Sequence, residues 1–409
     1  MKNNYRKYFL ASDSTRMFLY AMLLPYVAVF LLYAVYSVIA SSINMKYDSF
    51  METLPVVMIN AVFMQLCFVV IYFAFVHKRR INFVTASKLN VKPNAWMLAI
   101  CICMGFALLW FSTPTMDLFE RGLIAIGCDI KSDLGFELNS AGTIIFAILC
   151  LGILPAFVEE FIFRGVILQG LRKYGNCFAI IASALLFMLI HGNIQQTIYQ
   201  FVFGVLAGYL VIKTGSLWVS IVIHAINNTF VITLSSIQTC MGIEAVATKI
   251  TAFYVIQAVL YLILLALVIY FGIKLLNKVK NKLEKQTPIS ANAQNAQNVQ
   301  ESDANVTLSQ EITEKTQGNM IAQNNAIIQK DVSVKENAVS LKDAETGKSA
   351  TQADSEEDEN EIEKQFAKIT FKEGYAGFMR DGSIKKEGLT GFFVALAIAI
   401  LNTISMFMS

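Results

Sequence analysis

At 409 residues the chain is long enough for two or three soluble domains, yet 56% of it is hydrophobic and its mean hydropathy is +0.54, which excludes an ordinary water-soluble composition. The formal net charge of +3 supplies no broad basic field, so nucleic acid is excluded as a partner and the lipid bilayer takes its place. Seven cysteines are scattered, mostly through apolar stretches. Cys101 and Cys103 form a C-x-C whose side chains diverge on a helix, with no second Cys or His pair nearby, so all seven read as reduced packing residues.

The chain begins with a basic segment, MKNNYRKYFLASDSTR, and runs into an apolar stretch from Met17 to Ala40. That stretch exceeds the ~7 to 15 residues of a signal-peptide core and reads as a first membrane helix. Windows of about 20 apolar residues, enough to cross ~30 Å of hydrocarbon, recur near 55–76, 95–112, 141–168, 177–192, 196–212, 217–237 and 251–275, with a ninth from Gly391 to Met408. The expected fold class is an all-α polytopic membrane protein of eight or nine transmembrane helices.

Lys and Arg fall in alternate connections, as the positive-inside rule requires. The N-terminal tail, the HKRR-to-Lys92 connection, the Arg164 to Lys173 turn, Lys213 and the Lys274 to Lys285 segment are basic, whereas Ser41 to Thr53 and Thr113 to Ser140 are poor in positive charge. This places the N-terminus in the cytoplasm of a multi-pass cell (inner) membrane protein, and nine spans put the C-terminus outside. His77, within HKRR, reads as a loop residue.

From Gln286 to about Ala350 the sequence turns to Asn, Gln, Ala, Ser, Lys and Glu with almost no aromatics, and it continues into the acidic run SEEDENEIE. The segment FAKITFKEGYAGFMRDGSIKKEG then leads into the last apolar stretch, and reads as a solvated tether or a docking tail for a cytoplasmic partner. The expected divisions are N-terminal transmembrane helices over 1–140, a catalytic core over 141–240, and a membrane helix with a basic cytoplasmic end over 241–285. A disordered polar and acidic linker over 286–390 and a C-terminal membrane helix over 391–409 complete them.

Ionisable side chains inside membrane spans cost a few kcal/mol or more each and are functional hypotheses by default. The fourth window reads GILPAFVEEFIFRG, the fifth ends FMLIHG, and the seventh reads VIHAINNTF. Glu160 and Arg164 stand at i and i+4 and can pair along one face, which suits a buried ion pair that locks the helix. Glu159 points about 100° away and is left free. His224 and Asn228 are again i and i+4. Pro155 cannot donate to the carbonyl of Leu151, so a kink is expected there. Gln195, Gln196 and Gln200 read as outer-interface residues.

Glu159 lies 16 residues before Gly175 and His191 lies 16 after it. If Gly175 turns an antiparallel hairpin, both side chains stand at one depth, about 24 Å from the turn at ~1.5 Å per residue. His224 and Asn228 lie 9 and 13 residues past Gly215, about 13 to 20 Å by the same rise. A carboxylate in a low-dielectric pocket beside an imidazole can take a proton from water and return it to a leaving amine, while a second imidazole and a carboxamide can donate to an oxyanion. No G-x-S-x-G, Ser/Lys dyad or H-E-x-x-H is present, so serine and standard zincin chemistry find no support.

Together E-E-x-x-x-R (Glu159, Glu160, Arg164), F-x-x-x-H (Phe187, His191) and H-x-x-x-N (His224, Asn228) resemble the CPBP family. These are the CAAX-protease and bacteriocin-processing membrane endopeptidases, also called Abi or type II CAAX prenyl endopeptidase-like proteins and including lysostaphin-resistance protein A-like members. The resemblance covers about residues 141–240. It implies that Glu159 and His191 activate water, that His224 and Asn228 form the oxyanion site, that Glu160 and Arg164 hold the fourth helix in place, and that the substrate is a membrane-associated peptide or protein. The family's metalloprotease label implies a second option, zinc held by Glu159, Glu160, His191 and His224, and these side chains suit either a metal-free or a zinc mechanism. Two other classes compete: a non-catalytic membrane scaffold or chaperone that keeps the cluster for packing, and a proton-coupled transporter, against which stands the lack of a paired inverted repeat.

Overall fold

A computed structural model describes residues 5–128, 136–242, 251–285, 364–381, 393–398 and 400. Most of the 286–390 segment and most of the ninth apolar stretch therefore lie outside the described residues. Among those described there is no strand, and seven helices are long and apolar enough to cross a membrane. The protein is a polytopic all-α membrane protein.

The long helices are α1 (Ala11–Ser42), α2 (Leu54–Lys78), α3 (Ala95–Ala125), α4 (Ala141–Tyr174), then α6 (Thr197–Thr214), α7 (Leu217–Cys240) and α8 (Ala252–Lys285), with the shorter apolar α5 (Asn176–Ile190) following α4. The chain divides into two units, Met1–Leu276 with Glu359–Ser409, and Asn277–Asp358, and of the second only the end of α8 is described.

Within the first unit α4 packs against α1, α2, α5 and α7. Its backbone widens twice, into π turns over Ile148–Ile153 and Phe161–Ile167, on either side of the α-helical Leu154–Glu160. The kink expected at Pro155 thus takes the form of a π turn ending just before it. Such turns re-aim side chains and recur at functional sites. On α1, Asp13 is buried and pairs with Arg6 and, at 3.0 Å, with Arg79. At the next residue, the Ser14 hydroxyl donates to the carbonyl of Ile167 at 3.0 Å, so α1 is tied to both α2 and α4 at their basic ends.

Three expectations change. His77 belongs to the last turn of α2 rather than to a loop, because the helix carries its apolar period through Phe75 and Val76 before ending at Lys78. The third helix runs to Ala125 rather than stopping at 112, through Pro114. Ser112 and Thr113 both donate to the carbonyl of Leu109, at 3.3 and 3.0 Å, so their hydroxyls are satisfied within the helix just before Pro114.

The third change concerns the expected tether. Phe371–Arg380 forms a helix, α9, started by a capping box in which the Thr370 hydroxyl accepts from the Glu373 N–H and the Glu373 carboxylate accepts from the Thr370 N–H. Its face of Phe371, Gly374 and Phe378 lies on the turn between α4 and α5: Phe378 meets Tyr174 and Phe178 with ring centroids 5.5 and 5.4 Å apart. Asp381 accepts from Lys173 Nζ at 2.5 Å and from the Tyr174 hydroxyl at 2.7 Å. The docking partner of this segment is the chain's own hairpin turn. At that turn Gly175 takes φ +101°, open to glycine at little cost, and a Cβ there would meet Ile369 at 2.8 Å.

Candidate active site

The α4–α5 turn returns the chain antiparallel, and the left-handed Gly215 (φ +69°) does the same between α6 and α7. These turns bring Glu159 from α4, His191 from the end of α5 and His224 from α7 together. Glu159 Oε2 lies 3.8 Å from His191 Nε2 and 3.9 Å from His224 Nε2. Glu159 is 8% exposed and His224 4%, whereas the His191 side chain keeps 18%, so the cluster is buried with its most open edge at His191.

Each histidine is oriented through its other nitrogen. His191 Nδ1 is 2.8 Å from the carbonyl of Phe187, one turn back on α5, and His224 Nδ1 is 2.9 Å from Glu160 Oε1. A carbonyl and an ion-paired carboxylate only accept, so Nδ1 carries the proton in both rings and both Nε2 atoms face Glu159. The same Glu160 oxygen accepts from Arg164 at 2.5 Å, and both partners are fully buried. The Arg164 guanidinium lies 4.2 Å from the Phe187 ring centre and 5.6 Å from that of Phe203, which places its positive face on two aromatic rings. Glu160 and Arg164 therefore form one buried assembly with His224, beyond the pair read from the sequence.

Asn228 is half-buried one turn beyond His224. Gln195 and Gln196 fall in a short turn before α6 and Gln200 in its first turn, where Gln200 donates to Gln196 at 3.4 Å. Two groups that sequence reasoning passed over also reach this region. Gln65 of α2 donates from Nε2 to Glu159 Oε1 at 3.1 Å. Asn227, 3% exposed, donates to the Tyr199 hydroxyl at 2.9 Å, and Tyr199 stacks on Phe203, whose ring lies 5.0 Å from that of His224. The available signal was the same in each case: an amide placed inside an otherwise apolar helix.

The zinc option asks for three or four donors around one point. Ligand atoms of tetrahedral zinc at ~2.0 to 2.1 Å stand about 3.3 Å from one another. The two imidazole-to-carboxylate separations here are wider, Glu160 is committed to Arg164 and His224, and among the described residues no group of three or more His, Cys, Asp or Glu is placed to hold an ion. As arranged, the side chains do not form a zinc ligand set.

Fold and site together define a multi-pass membrane protein with a buried carboxylate and imidazole cluster. Residues 141–230, which carry all three motifs, match the family described as type II CAAX prenyl endopeptidase Rce1-like. The chain is also similar to "Putative membrane peptidase YdiL" of Bacillus subtilis (strain 168), 26% identical over 129 residues, which are 31% of this chain and 52% of that protein. It thus spans about half the length of that relative. No solved structure matches.

Proposed function

We propose that the protein is an intramembrane endopeptidase that cleaves a membrane-associated peptide or protein with a water activated by Glu159 and His191. The observation that carries this reading is the convergence of Glu159 Oε2 on two Nε2 atoms at 3.8 and 3.9 Å, with each histidine fixed through Nδ1. Atoms at that separation are too far apart for a direct hydrogen bond and well placed to share a water. The water donates to Glu159 Oε2 and to His191 Nε2. Glu159 removes its proton as the oxygen attacks the scissile carbonyl carbon. A new C–O bond forms and the carbonyl electrons move onto oxygen.

Asn228 and His224 receive that charge. In its imidazolium form His224 donates to that oxygen from Nε2 while Nδ1 stays on the Glu160 carboxylate. Collapse of the tetrahedral intermediate breaks the C–N bond. Glu159 returns its proton to the leaving amine, so the products are one carboxylic acid, which keeps the water's second proton, and one amine. Chemistry of this kind in a buried site gains from preorganised dipoles. The family description and the named relative support a peptidase. A prenylated C-terminal peptide is the substrate class that the family description suggests, and the cell membrane with a cytoplasmic N-terminus is the setting that the Lys and Arg distribution favours.

The test is a comparison of membrane-associated peptides in cells carrying the wild type or Glu159→Gln. One or more peptides should accumulate uncut in the variant. Identical peptide inventories, with the variant present at normal abundance, would leave the scaffold reading in its place.

A further inference from the structure

We propose that Gln65 is a positioning residue of this site, holding Glu159 by one oxygen so that the other faces the two histidines. The inference rests on Glu159 being the base. Gln65 lies on α2, 94 residues before Glu159 and outside the 141–230 segment that carries the three motifs. Its Nε2 donates to Glu159 Oε1 at 3.1 Å, while Oε2 is the atom 3.8 and 3.9 Å from the imidazoles. The two oxygens of one carboxylate thus have different work, and the difference comes from a helix that the motifs do not include.

The terminal torsion of a glutamate is broad, so a carboxylate held only from its own helix exchanges its oxygens freely. A donor on one oxygen removes that freedom. The supporting helix is itself fixed at this level. Phe68 and Tyr72, three and seven residues after Gln65, are buried on the same face. The Tyr72 ring lies 5.3 Å from that of Phe161, two residues after Glu159, and its hydroxyl is 3.1 Å from that of Ser87.

The second observation is the other end of the amide. Gln65 Oε1 is buried and meets no hydrogen-bond donor among the described residues. An unpaired amide oxygen in an apolar helix is costly, and packing alone would favour Leu or Met at this position. The cost is offset if the N–H half is needed at Glu159.

The experiment compares four full-length proteins in their native membrane: wild type, Gln65→Met, Glu159→Gln and the double variant. Gln65→Met keeps the length of the side chain and removes the donor, and Gln65→Asn, which keeps the amide but is too short, guards against a folding defect. Membrane peptides are quantified, and a peptide that accumulates in Glu159→Gln supplies the substrate for kcat and KM on purified protein. Gln65→Met should lower kcat about ten- to a hundredfold, the scale of one hydrogen bond to an ionised group, with KM within about twofold and the thermal midpoint close to wild type. In the Glu159→Gln background it should change nothing further, because the group it positions no longer takes a proton. Wild-type kcat in both Gln65→Met and Gln65→Asn, with Glu159→Gln inactive, would overturn the Gln65 role alone. An equal fall from Gln65→Met in both backgrounds would reduce Gln65 to a packing residue. Unchanged processing in Glu159→Gln would overturn the peptidase reading, and this one with it.

Discussion

His224 and Glu160 meet at 2.9 Å, Nδ1 to Oε1, through the ring nitrogen that does not face Glu159. One carboxylate therefore serves two cations or donors, since the same Oε1 also accepts from Arg164 at 2.5 Å. Glu160→Gln would leave a fully buried guanidinium without its counter-charge, a change that costs about 3 to 5 kcal/mol for a buried ion pair. The variant should show a clearly lowered thermal midpoint in detergent, with a smaller loss of turnover per folded molecule than Glu159→Gln. An unchanged midpoint would show that Arg164 is balanced by another group.

Asn228 and His224 are assigned to the oxyanion, so their loss should act on the chemical step and spare capture. Asn228→Ala and His224→Ala should each lower turnover about 10² to 10³-fold, the scale of a lost oxyanion donor. Photo-crosslinking of an uncut substrate peptide should proceed as in the wild type. Loss of crosslinking in step with turnover would instead make them substrate-binding residues.

The docking of α9 on the α4–α5 turn rests on close approach. A Cβ on Gly374 would stand 2.1 Å from the carbonyl oxygen of Tyr174 and 2.8 Å from Phe178 Cβ, and the backbone carbonyl cannot move aside. Gly374→Val should therefore release the helix. Hydrogen exchange over residues 371–380 should rise sharply while exchange over 154–171 stays slow, and Asp381→Ala, which removes the acceptor for Lys173 and Tyr174, should give a weaker form of the same result. Unaltered exchange in Gly374→Val would contradict the packing described.

Two native cysteines read the topology. Cys177 opens α5 beside the basic turn and Cys240 closes α7 at the opposite end of the bundle, and both are exposed. In single-cysteine variants, an impermeant thiol reagent added to intact cells should label Cys240 and leave Cys177 untouched until the membrane is opened. The reverse pattern would invert the orientation argued from Lys and Arg.

Much of this molecule was legible because a membrane makes polar side chains expensive. Glu159, His191 and His224 stood out against apolar helices, and equal spacing about Gly175 was enough to anticipate that Glu159 and His191 meet. The partnership of His224 with Glu160 was not legible, because it depends on the rotation of α7 against α4, which no spacing within either helix encodes. Gln65 was passed over for a related reason: a single amide in α2 gives no hint of which of its neighbours it faces. The length of α3 was misjudged because the continuous apolar run ends near Phe111, whereas the helix continues through Pro114 and the charged Asp117, Glu120 and Arg121 to Ala125. The helix at Phe371–Arg380 was hidden by charge, since Lys372, Glu373 and Arg380 mask a short apolar face of Phe371, Gly374 and Phe378.

The central claim is that Glu159 takes the proton from the attacking water. Glu159→Gln keeps the size of the side chain and its ability to accept from Gln65 while removing the base. The deciding measurement is therefore the single-turnover cleavage rate of purified wild type and Glu159→Gln on the peptide that accumulates in the variant's membranes, at matched amounts of folded protein. The account predicts a fall of about 10² to 10⁴ with peptide binding retained; a cleavage rate within a few-fold of the wild type would contradict it.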